Sequence, residues 1–465
     1  MLYRDLHKIA LTILLIGLIN VYNILKEGII LNIPNVSERL GSLHCNINLI
    51  KIFIFITFIF ILIFNLPNFS IISQETMKQN KVEYELILGL GLLGLIILGL
   101  SNDLIFLYLG LELYSFSIYF LILVKETLVL RKISIFYFII SSLSSALLLY
   151  SFSQLYKISG TLNMGEIKYL LGDISFANIN LLIYSIILVF LFKLGSGPFL
   201  FWLIRVYSDL EKKILWYQLL IPKLFFFILL LKFTTLMSET NKYFIFSIYI
   251  MAIISILFGS IGGLFQIKDN KLLSYSSILN TGYILLTFAI LLFNYKITIG
   301  NSNIETDKYW LIYQYFFVYF LNLLGLFSVL FLFRRSSKVS AFNSFLLQPY
   351  FFFSFFIIIL SFIGMPPFSG FFSKFYLFFS LFSYSNLTNL TLIIFIGSTL
   401  ISSFLYLKFL FASSYSPLEE EYTTVLNTLF PNFYTYILSF TTILTIVYSF
   451  FLSSLLPFFI LSFSI

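Results

Sequence analysis

The sequence predicts an all-α polytopic membrane protein with about 13–14 transmembrane helices, and three observations carry that reading. The 465 residues are 60% apolar and only 10% charged, where an ordinary soluble domain carries about 25% charge. Apolar runs of spanning length recur along the whole chain, separated by charged or Pro/Asn-containing turns. A fifth of the residues are aromatic, and the polar side chains that remain are too few to cover a water-facing surface, so hydrocarbon is the solvent of the fold.

The runs fall at 9–25, 49–66, 84–100, 103–124, 133–153, 180–203 and 216–236, then at 243–266, 272–294, 309–333, 349–384, 389–411 and 434–462. The first follows a charged start, as in a signal peptide, but no small-residue cleavage site follows it, so a retained helix is expected. The run 349–384 is too long for one straight span and breaks at Gly364-Met365-Pro366-Pro367, where adjacent prolines remove backbone donors. A matching break lies at Gly195-Ser196-Gly197-Pro198 in the run 180–203. Paired breaks in two halves point to inverted repeats with a functional site near the bilayer midplane. Those repeats are expected at 84–236 and 243–411, between N-terminal helices in 1–83 and a C-terminal loop and helix in 412–465. With thirteen spans, the loops 1–8, 67–83, 125–132, 204–215, 267–271 and 334–347 hold about twice the positive charge of the other side, which marks the matrix or cytoplasmic face.

Composition also excludes several functions. Cys45, His7 and His44 are the only residues of their types, whereas iron–sulfur clusters and structural zinc sites need about four Cys or His ligands. No redox centre or metal is therefore expected in the chain. The net charge of +8 reads as loop charge against an anionic leaflet rather than as nucleic-acid binding. Gly89, Gly91 and Gly94 spell G-x-G-x-x-G, but no strand precedes them, so close helix packing is expected there and at Gly259 and Gly263. Phe, Ile, Leu, Asn, Lys and Tyr dominate at the expense of Ala, Val and Arg, the bias of an AT-rich organellar gene.

A charge at mid-span costs roughly 2.5–3.5 kcal/mol on insertion scales and marks an ion or proton path. Glu112 lies near the centre of its span, Lys193 just before the first break, Lys223 beside Pro222 inside its span, and Lys374 just after the second break. Lys51, Lys232 and Lys408 lie near span ends, where snorkelling to the interface explains them. The proton affinity of a buried ammonium depends on how near a carboxylate stands, so a pair such as Glu112 with Lys193 can take up and release a proton as its separation changes. Ser276, Ser277 and Asn280, with Ser274 and Tyr275, could hold water between lysines or could simply bond their own helices.

Four stretches resemble the antiporter-like membrane subunits of NADH:ubiquinone oxidoreductase, respiratory complex I: LYLGLELYSFSIYFL, FKLGSGPFLFWLIRVYSDL, QIKDNKLLSYSSILNTGYILL and LSFIGMPPFSGFFSKFYLF. With the spans between, they cover roughly 84–411. The resemblance implies two inverted five-helix repeats, each with a discontinuous helix, near 193–198 and 364–374. It places the functional glutamate at Glu112 and the relay lysines at Lys193, Lys223 and Lys374, with helix breaks at Pro198, Pro366 and Pro367. Asn280 and Lys374 fit the subunit 2 type, since subunit 4 has a histidine and a glutamate at the corresponding places and subunit 5 carries a long C-terminal arm. The loop after Lys193 departs from the pattern, with Leu200 for a histidine and Ile204-Arg205 for Pro-Asp.

The resemblance further implies proton translocation across the inner mitochondrial membrane by a multi-pass, organelle-encoded chain. NADH, FMN, iron–sulfur clusters and ubiquinone would be bound by other subunits of the complex, and no cofactor by this one. Its partners would be subunit 4, the small subunits beside the quinone site, and lipids such as cardiolipin. Two other readings stay open at this point: a subunit of a multi-subunit cation/proton antiporter, and a non-pumping scaffold of the membrane arm.

Overall fold

The computed structural model describes residues 78–124, 127–167, 177–236, 242–266, 268–292, 310–332, 349–382, 388–414 and 435–448. The expected spans at 9–25 and 49–66, with His7, His44, Cys45 and Lys51, lie outside the described residues. The named elements are all helices: α1 (Lys78–Leu100), α2 (Leu104–Leu123), α3 (Leu128–Ser159), α4 (Ala177–Leu194), α5 (Leu200–Tyr207) and α6 (Lys212–Leu236), then α7 (Lys242–Leu264), α8 (Asp269–Leu292), α9 (Trp310–Leu332), α10 (Pro349–Ile363), α11 (Ser369–Phe382) and α12 (Thr388–Ser414). A final apolar helix, α13, covers Thr435–Tyr448. Among them α2, α3, α6, α7, α8, α9 and α12 are long and apolar enough to cross a membrane, and shorter apolar stretches lie in α1, α4, α10 and α13. In hydrocarbon every backbone N–H and C=O must be satisfied internally, which is why these Leu-, Ile- and Phe-rich runs coil rather than extend.

The order of three helices, one broken helix and one continuous helix occurs twice. The described residues form two compact units, one of residues up to Lys193 with 221–238, the other of 194–220 with 239 onward.

In the first unit α1 and α2 touch backbone to backbone. A Cβ on Gly94 would lie 2.8 Å from the Gly110 oxygen, and one on Gly110 would lie 2.7 Å from the Gly94 oxygen. Of the glycines read as packing residues in this stretch, Gly94 makes such a contact here. The turn between these helices pairs with the segment after α3: Leu104 N–H donates to the Leu162 oxygen at 3.0 Å and Met164 N–H to the Asn102 oxygen at 3.0 Å. Helix α3 begins where the Thr127 hydroxyl accepts from Leu130 N–H at 3.3 Å and ends at Gly160, whose φ of 67° stops it. It has 32 residues, longer than the 133–153 run, with exposed Arg131 and Lys132 near its start and exposed Lys157 in its last turn.

In the second unit a Cβ on Gly259 would meet the Leu279 backbone nitrogen at 2.6 Å, again a close approach of neighbouring helices. After α4 the chain turns through Gly195 (φ 67°), where Leu203 leaves no room for a side chain, and Phe199 N–H donates back to the Ser196 oxygen at 2.8 Å. Helix α5 then runs to Tyr207, so Ile204 and Arg205, expected in a loop, are helical. The reason is amphipathic: Leu200, Trp202, Leu203, Val206 and Tyr207 are buried on one side, and Arg205 points outward. The loop shrinks to four residues, held by Asn270, whose amide donates to the Leu210 oxygen at 2.8 Å, and by an exposed Lys268–Asp209 ion pair at 3.8 Å.

The second break follows Ile363. Gly364 has φ 88°, and Phe368 N–H donates to the Met365 oxygen at 3.0 Å before α11 begins. The two half-helices overlap closely, since a Cβ on Gly370 would collide with the Ser361 oxygen. Ser361 stitches them together: its hydroxyl donates to Asn322 Oδ1 at 2.8 Å, lies 3.2 Å from Ser369 Oγ and accepts from Gly370 N–H at 3.2 Å.

Candidate functional site

Of the sequence-predicted residues, Glu112, Lys193 and Lys223 fall in the first unit, and Lys374, Ser276, Ser277 and Asn280 in the second.

Glu112 projects from the middle of α2 and is half-buried. One turn later Ser115 donates to its carboxylate at 3.3 Å and to its backbone oxygen at 3.0 Å. The carboxylate opens into a cleft of about 410 Å³ between α2 and α3, where Tyr108, Ser141, Ser142 and Ser145 also line the wall. Ser141, Ser142 and Ser145 spend their protons on oxygens of α3 itself, so their lone pairs remain for a donor in the cleft. Sequence reasoning missed this wall. The signal was present in the spacing of Tyr108 to Glu112 and of Ser141 to Ser145, each four residues and so one helical face.

Lys193 is the penultimate residue of α4 and is only 7% exposed. Its ammonium is buried and has no hydrogen-bond partner among the described residues, yet it lies within electrostatic reach of Glu112. Among the described residues the two are thus not locked in a hydrogen-bonded ion pair. A charge held in this way responds strongly to small displacements, because low-dielectric surroundings screen it little.

Lys223 is 3% exposed on α6, a helix buried all round from Ile214 to Phe233. Pro222 beside it lacks an N–H, which leaves the Gln218 oxygen without its helical donor. The Tyr207 hydroxyl donates to that oxygen at 3.3 Å. The helix is thus continuous across its proline because a side chain from α5 replaces the missing bond.

Lys374 lies in α11, and its ammonium donates to the Phe362 and Ile363 oxygens, both at 2.8 Å, at the C-terminal end of α10. The second lysine of the broken-helix pair is consequently capped by the negative end of a half-helix, whereas Lys193 has no such anchor. Phe362 serves two neighbours, since its ring also stacks on Tyr406 with centroids 5.1 Å apart.

Tyr406 leads into a buried polar network that takes in two of the three predicted water-holding residues. Ser276 Oγ lies 2.8 Å from the Tyr406 hydroxyl. The Asn280 amide donates to the Ser276 backbone oxygen at 2.8 Å and to the Tyr406 hydroxyl at 3.4 Å, and accepts from the Tyr315 hydroxyl at 3.0 Å. Ser277 instead donates to the Ser274 oxygen of its own helix at 2.7 Å. Tyr406 and Tyr315 carried no sequence signal of their own, because a chain with 31 tyrosines offers no way to single them out. Pro198, Pro366 and Pro367 all lie in the two breaks.

Of the described end-of-span lysines, Lys232 differs from the snorkelling expectation. Lys232 is 5% exposed and donates to the Gly99 oxygen at 2.5 Å and the Ser101 oxygen at 3.0 Å. Lys408, although exposed, donates to the Leu264 oxygen at 3.0 Å and the Gln266 oxygen at 3.1 Å. Helix-terminal carbonyls, which lack intrahelical donors, accept from both ammonium groups.

Residues 101–402 match the protein family described as NADH:quinone oxidoreductase/Mrp antiporter, TM. The chain is 29% identical over 401 residues to NADH-quinone oxidoreductase subunit N of Pelagibacter ubique, covering 83% of this chain and 80% of that protein. It is 30% identical over 328 residues to NADH-ubiquinone oxidoreductase chain 2 of Rhizopus oryzae, covering 67% of this chain and 60% of that protein. Its fold is similar to that of a chain in respiratory complex I from Thermus thermophilus with bound aureothin, with a TM-score of 0.69 at 17% identity, over 98% of this chain and 94% of that one.

Proposed function

The chain belongs to the family of NADH:quinone oxidoreductase and Mrp antiporter transmembrane subunits, and on that premise we propose that it is the subunit 2 type component of a respiratory complex I membrane arm and translocates protons. Glu112, Lys193, Lys223 and Lys374 carry the proton, and quinone reduction in neighbouring subunits drives it. NADH, FMN, iron–sulfur clusters and ubiquinone belong to those other subunits. The membrane is the inner mitochondrial membrane, a reading supported by the organelle-like composition and by the Rhizopus oryzae relative. The partners are the antiporter-like subunit 4, the small subunits beside the quinone site and anionic lipid such as cardiolipin.

The observation that carries the relay is the state of Lys193. A buried ammonium that feels Glu112 but has no hydrogen-bond partner among the described residues is poised to change its proton occupancy when the carboxylate moves or is neutralised. Coupling to distant electron transfer requires only that both ends bias one such two-state element.

The test is native purification of the complex containing this chain, with NADH:quinone activity and proton pumping measured for the native chain and for Lys193→Ala. The relay reading expects co-purification with NADH-oxidising subunits, normal assembly and a large loss of pumping. Unchanged pumping with normal assembly would make the chain a scaffold. Co-purification with cation-transport subunits would place it in a cation/proton antiporter.

A further inference from the structure

Two lysines outside the relay stand in the same place in the repeated helix order. Lys232 is on α6, the helix that completes the first series of five, and Lys408 is on α12, which completes the second. Each reaches back to the C-terminal end of the helix that opens its own series, α1 for Lys232 and α7 for Lys408. Each binds two backbone oxygens two residues apart, Gly99 and Ser101 in one case, Leu264 and Gln266 in the other. In both, the oxygens belong to the end of that opening helix and the turn leading to the next one.

We infer that Lys232 and Lys408 are positioning residues that close each series of helices, first to last, and thereby set the register of the relay. The inference rests on the relay reading above. The carbonyls at a helix C-terminus lack intrahelical donors and carry the negative end of the helix dipole. A charged N–H donor satisfies them with bonds stronger than neutral ones.

In the first unit the consequence is specific. Lys232 shares α6 with Lys223, and the turn it grips leads directly into α2, which carries Glu112. The same end of α1 packs against the same helix through Gly99, where a Cβ would come within 2.9 Å of the Phe225 ring. Lys232 therefore fixes how far along α6 the Glu112 helix begins. In the second unit Lys408 shares α12 with Tyr406, and the turn it grips leads into α8, which carries Ser276 and Asn280. The two closures differ in setting, since Lys232 is buried and Lys408 exposed, so the first matters more.

The test compares Lys232→Met, Lys232→Arg and Lys408→Met in the intact complex. It reads the amount of assembled complex and the number of protons pumped per electron by what assembles. Arginine can donate to two oxygens but does not release its proton, so it separates closure from proton carriage. The expected result is a several-fold loss of assembled complex or a lowered proton-to-electron ratio for Lys232→Met. Lys232→Arg stays within about twofold of native in both readouts, and Lys408→Met shows a smaller change than Lys232→Met. Native behaviour of Lys232→Met in both readouts overturns the inference. So does a Lys232→Arg variant as defective as Lys232→Met, because that would make Lys232 a proton carrier. If Lys232→Met does not assemble at all, the Arg variant and Lys408→Met still decide. Unchanged pumping in Lys193→Ala alongside poor assembly in Lys232→Met would defeat the relay and leave the closure standing.

Discussion

Replacing Gly364 by alanine tests the second break at the point where backbone geometry and relay chemistry meet. Gly364 has φ 88°, a region that costs a residue with a side chain roughly 1–2 kcal/mol. The new Cβ would lie 2.9 Å from Cδ of Lys374, so that side chain has to move. Its ammonium is held by the Phe362 and Ile363 oxygens at 2.8 Å, and a hydrogen bond to a charged group is worth roughly 1.5–3 kcal/mol. Loss of one of the two bonds together with the backbone term gives about 2.5–5 kcal/mol. Gly397, inside α12 with nothing within 4 Å of a Cβ, is the control. Alanine there should gain roughly 0.5–1 kcal/mol. The assay is the half-life of NADH:quinone activity at a fixed elevated temperature, with assembled complex measured on native gels. Gly364→Ala should shorten the half-life sharply, and part of that effect should vanish in a Lys374→Met background, where only the backbone term remains. If Gly364→Ala behaves like Gly397→Ala, the left-handed turn and its lysine cap do not hold the break together.

Two further outcomes follow from the same packing logic. Tyr207→Phe removes the donor to the Gln218 oxygen beside Pro222 and should cost about 1–3 kcal/mol for an orphaned buried carbonyl, seen as a lower midpoint in thermal unfolding of the purified complex; an unchanged midpoint would mean that water replaces the hydroxyl. Gly94→Val sets a branched side chain against the Gly110 oxygen 2.8 Å from its Cβ, so assembled complex should fall several-fold, and near-native assembly would show that α1 and α2 can part without loss.

Much of the fold was legible because hydrocarbon forces the choice: a long apolar run has few alternatives to a helix, and two Gly/Pro clusters at matching places mark the breaks. The extent of α5 was not, since Ile204-Arg205, standing where the family pattern has Pro-Asp, reads as loop until one sees that Trp202, Val206 and Tyr207 share a buried side. Glu112 and the three relay lysines stood out because an isolated charge in an apolar run is conspicuous. Their partners did not, for a physical reason. The acceptors of Lys232, Lys374 and Lys408 are backbone oxygens, which every residue possesses, so no residue type announces them. Snorkelling and carbonyl capping draw on the same flexible ammonium group, and only the geometry separates them.

The length of α3 has its own consequence. Its 32 residues extend about 48 Å at 1.5 Å per residue, against a hydrocarbon layer of about 30 Å. With Arg131 and Lys132 near one end and Lys157 near the other, the helix carries at both ends the basic side chains that headgroup layers favour. Halfway between those ends lie Ser141, Ser142 and Ser145, the residues facing Glu112 across the cleft. The cleft that Glu112 lines therefore sits at mid-length of this helix, as far from one basic end as from the other.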